Sequence, residues 1–257
     1  MTRVLAPFLL YRLAPLFVGA FVLSACGGIV PATQAPSSYG SANDAVQVGT
    51  GRDYPRADRS QRQTLGVGSA QTGFAISPSD RACHAELSAA GARFSPVPDT
   101  YAAPGCNMVG TVKLASLAGD SAQFGLSNLG AVKCQTAKAF NAWARFGVDR
   151  AARQILGSPL ARIETMGSYA CRNIFGTSRR SAHATGNAID VSGFVLADGR
   201  RITLKGDWSS GTKEEREFLR VVHRSACKRF GTVLGPEYNR AHEDHFHLEG
   251  TGARFCR

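Results

Sequence analysis

The chain has 257 residues, enough for one ordinary domain with an extension or for two small ones. An apolar share of 44% allows a packed core and excludes wholesale disorder, while 30 Lys and Arg against 19 Asp and Glu give a formal charge of +11. That excess suits an anionic partner (a membrane surface, an acidic polymer or nucleic acid), and the single long apolar stretch, at the very start, excludes a multi-span membrane protein.

Arg3 and Arg12 are the only charges in residues 1–25, and Leu13 to Ala25 form a short apolar run, the layout of a secretory signal. At roughly 13 residues the run is short against the about 20 that span a membrane, which counts against an uncleaved anchor helix. It ends in Leu23-Ser24-Ala25-Cys26, which resembles the lipobox of bacterial lipoproteins. That resemblance implies removal of residues 1–25, lipidation of Cys26 and residence in the cell envelope on the periplasmic side. Gly27, where an Asp would retain the protein elsewhere, points to the outer membrane. Residues 26–75 are rich in Gly, Ser, Pro, Gln and Ala without any period, so beyond Cys26 they read as a disordered tether. Residues 76–257 are then one globular domain.

Six cysteines remain in that domain: Cys83, Cys106, Cys134, Cys171, Cys227 and Cys256. An even set in an exported chain implies disulfides, because the compartment is oxidising. Sequence alone does not choose among the fifteen possible pairings, Cys83 with Cys106 being the most local. A thiolate zinc site is disfavoured, since no Cys-x-x-Cys spacing occurs.

Within the domain, the pattern around Cys83–Ala90 predicts a short helix. Phe94 through Leu126 is broken by Pro96, Pro98, Pro104 and several glycines, leaving strand-like pieces such as Val109–Leu114. From Cys134 to Leu156, Ala137, Phe140, Ala144, Val148, Ala151 and Ile155 recur at the spacing of a buried helical face; Gly147 is a candidate break, and Gly157 with Pro159 ends the pattern. Trp143, at helical spacing with Phe140, reads as core. Arg162–Arg172 looks extended. Thr212 followed by Glu215 is a capping box opening a helix with Phe218, Val222, Ala226 and Phe230 on one side and Gly231 as its stop. Leu234 to Asn239 is a turn, and His84 and His223 have no partner motif. With no repeat and no βαβ rhythm, the fold class is α+β: a small, mainly antiparallel sheet flanked by helices and stapled by disulfides.

Four of the six histidines fall in two segments, Ser181-Ala-His183-Ala-Thr-Gly186-Asn-Ala188-Ile-Asp190 and His242-Glu243-Asp244-His245-Phe246-His247. Ala188–Val195 reads as a strand with Ile189 and Val191 on one face and Asp190 and Ser192 on the other. His245–Glu249 reads likewise, with Phe246 and Leu248 toward the core and His245, His247 and Glu249 opposite. If the strands are neighbours, Asp190 and His247 share a face and His183 enters from the loop before Gly186. One carboxylate and two imidazoles would then converge at ligand distances of about 2.0–2.2 Å, with a fourth position open to water. Either pattern alone also arises on a polar, solvated strand face. Their occurrence together, in this order, favours metal binding.

The Ser-x-His-x-x-Gly-x-Ala-x-Asp segment followed by His-x-His resembles the LAS-type zinc peptidases, which include D-Ala-D-Ala carboxypeptidases and murein endopeptidases. Gly167–Arg172 (GSYACR), Ser181–Asp190 (SAHATGNAID), Thr232–Asn239 (TVLGPEYN), His242–His247 (HEDHFH) and the terminal Cys-Arg resemble the bacterial extensin-like C-terminal domain family from roughly Cys83 to Arg257. The first resemblance implies an LAS-like zinc peptidase core, one Zn2+ held by His183, Asp190 and His247, and amide hydrolysis. His245 matches a histidine kept beside the metal, to stabilise an oxyanion or protonate a leaving amine. His242 matches a further active-site histidine of the endopeptidases, whereas Asp244 stands where the carboxypeptidases place a carboxylate base. Both arrangements are present, so the general base stays open, and His242 and Asp244 could instead orient the ligands. Arg172, with Tyr169 nearby, resembles a Tyr-Arg segment that binds substrate oxygens, although the intervening Ala-Cys alters the spacing. Arg179 and Arg180, just before Ser181, fall at the expected mouth of the cleft, where they could attract acidic peptides or form a solvated face.

These expectations combine into a monomeric, zinc-dependent peptidase acting on peptidoglycan stem peptides, as cross-link endopeptidase or D,D-carboxypeptidase, tethered to the membrane through its lipid. The alternative is a non-catalytic, metal-bearing module that holds cell wall without cutting it. Nucleic acid is disfavoured as partner, because export removes the domain from it and no basic stripe with interleaved aromatics occurs.

Overall fold

A computed structural model of the chain describes residues 76–250 and 254–257. The signal-like run, Cys26 and the tether lie outside the described residues.

The first helix, α1 (Pro78–Ala89), is opened by Ser77, whose hydroxyl accepts from the Asp80 amide. Pro78 sits in the first turn, where its missing N–H costs nothing, and Asp80 complements the positive end. The helix therefore starts a turn earlier than the Cys83–Ala90 expectation, on a Ser-Pro-x-Asp signal present in the sequence. Six short strands follow: β1 (Arg93–Pro96), β2 (Thr100–Ala103), β3 (Cys106–Met108), β4 (Thr111–Ala118), β5 (Gln123–Ser127) and β6 (Val132–Lys133).

Helix α2 (Cys134–Trp143) passes through a π-helical stretch, Ala144–Asp149, into α3 (Arg150–Leu156). Gly157, in the left-handed conformation at φ 69°, terminates it. Gly147 does not break the rod as expected. It lies inside the π-helical stretch, where a β-carbon would run into Ser225 Oγ on the facing helix, so glycine serves close helix packing there.

The chain continues through β7 (Leu160–Gly167), a 3₁₀ turn at Ala182–Thr185, β8 (Ala188–Leu196), β9 (Arg201–Thr203), α4 (Leu204–Ser210), α5 (Lys213–Ala226), β10 (Thr232–Leu234), β11 (Phe246–Glu249) and β12 (Phe255–Cys256). The Thr212–Glu215 capping box forms as read. Its helix stops at Ala226, a turn before Gly231, but Phe230 still returns to the core.

Ten of the strands form one sheet, in the order β1-β4-β5-β7-β8-β11-β10-β12, with β6 added to β4 and β9 to β8. Only the β5–β7 and β10–β12 pairs are parallel. The α+β class and the mainly antiparallel pairing hold, but the sheet is large rather than small. Several of its strands have only two to four residues, which conceals in the sequence that all ten share one sheet. β2 and β3 form a separate hairpin.

Helices α2, α3 and α5 pack a continuous core around Phe140, Trp143, Phe194 and Phe218, each fully buried. Trp143 satisfies its indole N–H on the Val222 carbonyl at 2.9 Å, so a large ring is buried without an unpaired donor. Three disulfides join Cys83 to Cys134, Cys106 to Cys171 and Cys227 to Cys256. The local Cys83–Cys106 guess is wrong. Cys83 faces α2 across the packed α1–α2 pair, and Cys106 lies beside the loop that follows β7.

His223 fills a slot between Trp208 and Phe246 and bonds the Arg257 carbonyl through Nε2 at 3.2 Å. Burial holds its imidazole below the ordinary value of 6.5, against the pull of that hydrogen bond. The folded state thus disfavours protonation that the unfolded chain accepts. The His223 contribution should be full above pH 6.5 and fall as the pH drops below it, and denaturant titrations from pH 6.5 to pH 5 should show a smaller loss for His223→Gln. Gly147→Ala should cost about 1–3 kcal/mol in the same assay, with Ser225→Ala in the double variant recovering part of the loss.

Candidate metal centre

β8 and β11 are antiparallel neighbours in a register that sets Asp190 directly opposite His247, Ile189 opposite Leu248 and Val191 opposite Phe246. Ile189, Val191, Phe246 and Leu248 are wholly buried and leave the alternate residues for the other face. His183 reaches that face from the 3₁₀ turn, which Ser181 caps by accepting from the His183 amide at 3.4 Å. Gly186 closes the turn at φ 62°, with Ala131 O only 3.3 Å from where a β-carbon would be. A bulkier residue would push the His183 turn away from β6.

The three side chains meet. His183 Nε2 lies 3.1 Å from Asp190 Oδ2, His247 Nδ1 2.9 Å from Asp190 Oδ1, and the two nitrogens 3.2 Å apart. All three residues are buried. Four-coordinate bonds of about 2.0–2.1 Å separate neighbouring ligand atoms by about 3.3 Å, so this triangle nearly has the size a zinc-like cation requires. The spacing alone would also suit a hydrogen-bonded cluster.

The outer partners of the rings carry the argument further. His183 Nδ1 faces the Ser168 carbonyl at 2.7 Å, an acceptor only, so that nitrogen holds the proton and Nε2 turns a lone pair inward. His247 Nε2 faces Glu249 Oε1 at 3.0 Å, which in the same way leaves Nδ1 as the inward donor atom. Two lone pairs and a carboxylate then point at one another, an arrangement stable only with positive charge at its centre. Without a cation a proton supplies it: although burial opposes charge, the Asp190 and Glu249 carboxylates raise the His247 imidazole to about 9. Burial likewise opposes the charged Asp190, but the His183 and His247 imidazoles set against it, His247 as donor in its protonated form, hold its carboxyl below the usual range. To take a metal, His247 gives that proton up. The donor set therefore fits a divalent cation. The other close grouping among the described residues, His223 with Cys227 and Cys256, has both sulfurs tied in a disulfide.

The flanking residues take distinct places. His245 Nε2 is 3.7 Å from Asp190 Oδ1, and its Nδ1 bonds Asp244 Oδ1 at 2.8 Å, so Asp244 orients His245. His242 stands at the open side, its ring 5.2 Å from His245 and 5.8 Å from His247. Its Nδ1 bonds Asn239 Oδ1 at 2.7 Å, and Tyr238 packs edge-on against its ring. Burial and the neighbouring histidines His245 and His247 lower it to about 4, so it stays neutral near pH 7. Arg172 is exposed at the rim, close enough to contribute to that lowering. Arg180 is committed elsewhere, to Pro104 O and Asn173 Oδ1, each at 3.0 Å, and Arg179 is exposed. Ser181 caps the His183 turn, and Tyr169 is half-buried two residues before Cys171. Glu249, Ser168 and Asn239 received no role in the sequence reading. Glu249 was visible as the alternate residue beyond His247, whereas Ser168 acts through its carbonyl, which no side-chain pattern reveals.

A family model described as Extensin-like protein C-terminus matches residues 81–257. No curated protein and no solved structure matches the chain.

Removing the Glu249 carboxylate frees the His247 ring to choose its tautomer and orientation. Glu249→Gln should therefore weaken zinc binding about 10–100-fold, read by competition with a chromogenic chelator, with the fold unchanged by circular dichroism.

Proposed function

The chain belongs to the extensin-like protein C-terminus family, and we propose that it is a zinc-dependent peptidase acting on the peptide bonds of peptidoglycan in the cell envelope. The observation that carries this reading is the buried triangle of His183 Nε2, Asp190 and His247 Nδ1, with His242 and His245 alongside it. A bound zinc would supply Lewis acidity for a scissile carbonyl and lower the pKa of a water in its fourth position.

The chain's own residues supply the remaining parts. His242 has its Nδ1 occupied by Asn239, which leaves its Nε2 as the ring atom open to accept a proton, the position a general base needs. Asp244 accepts from His245 Nδ1 and so fixes the direction of Nε2; in its imidazolium form that ring would hold charge on an oxyanion or hand its proton to a leaving amine. On this reading Asp244 is a positioning residue and His242 the base. Arg172 offers an exposed cation at the rim for an acidic peptide. The lipobox-like segment and the tether support the substrate class, since murein lies within reach of such an anchor. Cross-link cleavage is favoured over carboxypeptidase action by the three histidines at 242, 245 and 247.

The test is zinc analysis with mass spectrometry of digested sacculi. The purified protein should hold about one zinc and release peptide products, and His247→Ala should lose both while keeping its fold. Stoichiometric zinc with no product from any sacculus preparation would transfer the reading to a murein-binding module that does not cut.

A further inference from the structure

Among the described residues Phe175 is the most exposed large hydrophobic side chain, at 97%. It stands at the tip of a two-limbed finger, residues 172–181. Ser181 N donates to Arg172 O at 3.1 Å, Asn173 and Arg180 form an antiparallel bridge, and Ile174 N donates to Arg179 O at 2.8 Å. Thr177 closes the tip: its N–H and its hydroxyl both donate to Ile174 O at 3.0 Å, and the hydroxyl accepts from the Arg179 amide at 3.2 Å. Gly176, at φ 74°, supplies the left-handed residue that a type II turn needs after Phe175. A closed turn on a base tied by the Cys106–Cys171 bond therefore holds the phenyl ring out into solvent.

Alternation across the ladder puts Asn173 and Arg180 on one face, where Arg180 reaches Asn173 Oδ1 and Pro104 O, and leaves Ile174 and Arg179 together on the other. Ile174 is 40% exposed, and the exposed Arg179 has no ion-pair partner among the described residues. Arg180 bonds only neutral oxygens. No Asp or Glu occurs between Glu164 and Asp190, so nothing in this stretch balances its three arginines. An exposed apolar patch marks an interaction surface, and this one is a single aromatic tip beside unpaired cations. A protein partner needs about 800 Å² from each side for a standard interface, far more than one turn offers, whereas a bilayer accepts a single ring. We propose that the finger docks on an anionic lipid surface. Phe175 and Ile174 enter the boundary between headgroups and acyl chains, Arg179 meets lipid phosphates and Arg180 adds positive potential. The contact goes beyond the peptidase reading and is independent of it, since it needs neither a lipidated Cys26, a metal nor a cut bond. Ser181 follows Phe175 by six residues, so at about 3.3 Å per residue docking would hold the His183 turn at most about 20 Å from the headgroups.

The test uses the full chain on vesicles whose lipids carry brominated acyl chains, which quench tryptophan on contact. The parent's only tryptophans, Trp143 and Trp208, are buried in the core and set the baseline. On vesicles of phosphatidylglycerol in phosphatidylcholine, Phe175→Trp should lose fluorescence that the parent keeps; on phosphatidylcholine alone it should keep it. Adding Arg179→Ala should lower the insertion equilibrium about fivefold, as fits one arginine near a charged surface. Because position 175 is so exposed, circular dichroism of both variants should match the parent. No quenching above the parent's, or equal quenching on the two lipid compositions, overturns the proposal.

Discussion

The antiparallel pairing of β8 with β11 is the constraint on which the site depends. Its register sets Asp190 across from His247, and a slip of one residue would turn His247 into the core and Phe246 out of it. Four wholly buried apolar residues, Ile189, Val191, Phe246 and Leu248, oppose such a slip. Each fully buried side chain of that size is worth about 1.5–3 kcal/mol, so hydrophobic packing on one face fixes polar geometry on the other. The site is precise because the core behind it is apolar.

That polar face is costly by itself. A buried carboxylate with two imidazoles is tolerable only when hydrogen-bonded and compensated in charge. Ser168 O and Glu249 take the outward ring protons of His183 and His247, which concentrates unshared electron density at the centre. A proton on His247 balances it in one state, and a divalent cation would balance it in another. A cluster built only for stability would have no need to turn both rings so that their donor atoms face the same point.

Much of the site was legible in the sequence, because strand alternation and short spacing carry it: Asp190, His245 and His247 follow from period two, and His183 from its place before Gly186. Less of the fold was. Disulfide pairing depends on which elements pack together, and nothing around Cys83 distinguishes Cys134 from Cys106. The ten-stranded sheet was hidden by strands as short as two residues, joined across gaps in the chain. Gly147 looked like a helix breaker because its reason, the approach of Ser225 from α5, is non-local. Helix starts are local signals of unequal strength: Thr212 and Glu215 cap each other reciprocally, whereas Ser77 offers only a hydroxyl to the Asp80 amide.

The disulfides explain how an exposed rim can stay ordered around this centre. Residues 171–180 are all exposed, so burial does little to hold them. Cys171 is bonded to Cys106, and Arg180 at the other end of the loop reaches back to Pro104 O and Asn173. The loop is thus tied at both ends to the β2–β3 hairpin, itself outside the large sheet. Ser181 N then bonds Arg172 O, and Ser181 caps the turn that carries His183. A covalent staple therefore restrains the rim and passes its restraint, through two hydrogen bonds, to a buried imidazole. In this arrangement Arg180 acts on the centre through the backbone, while Arg172 faces solvent at its edge.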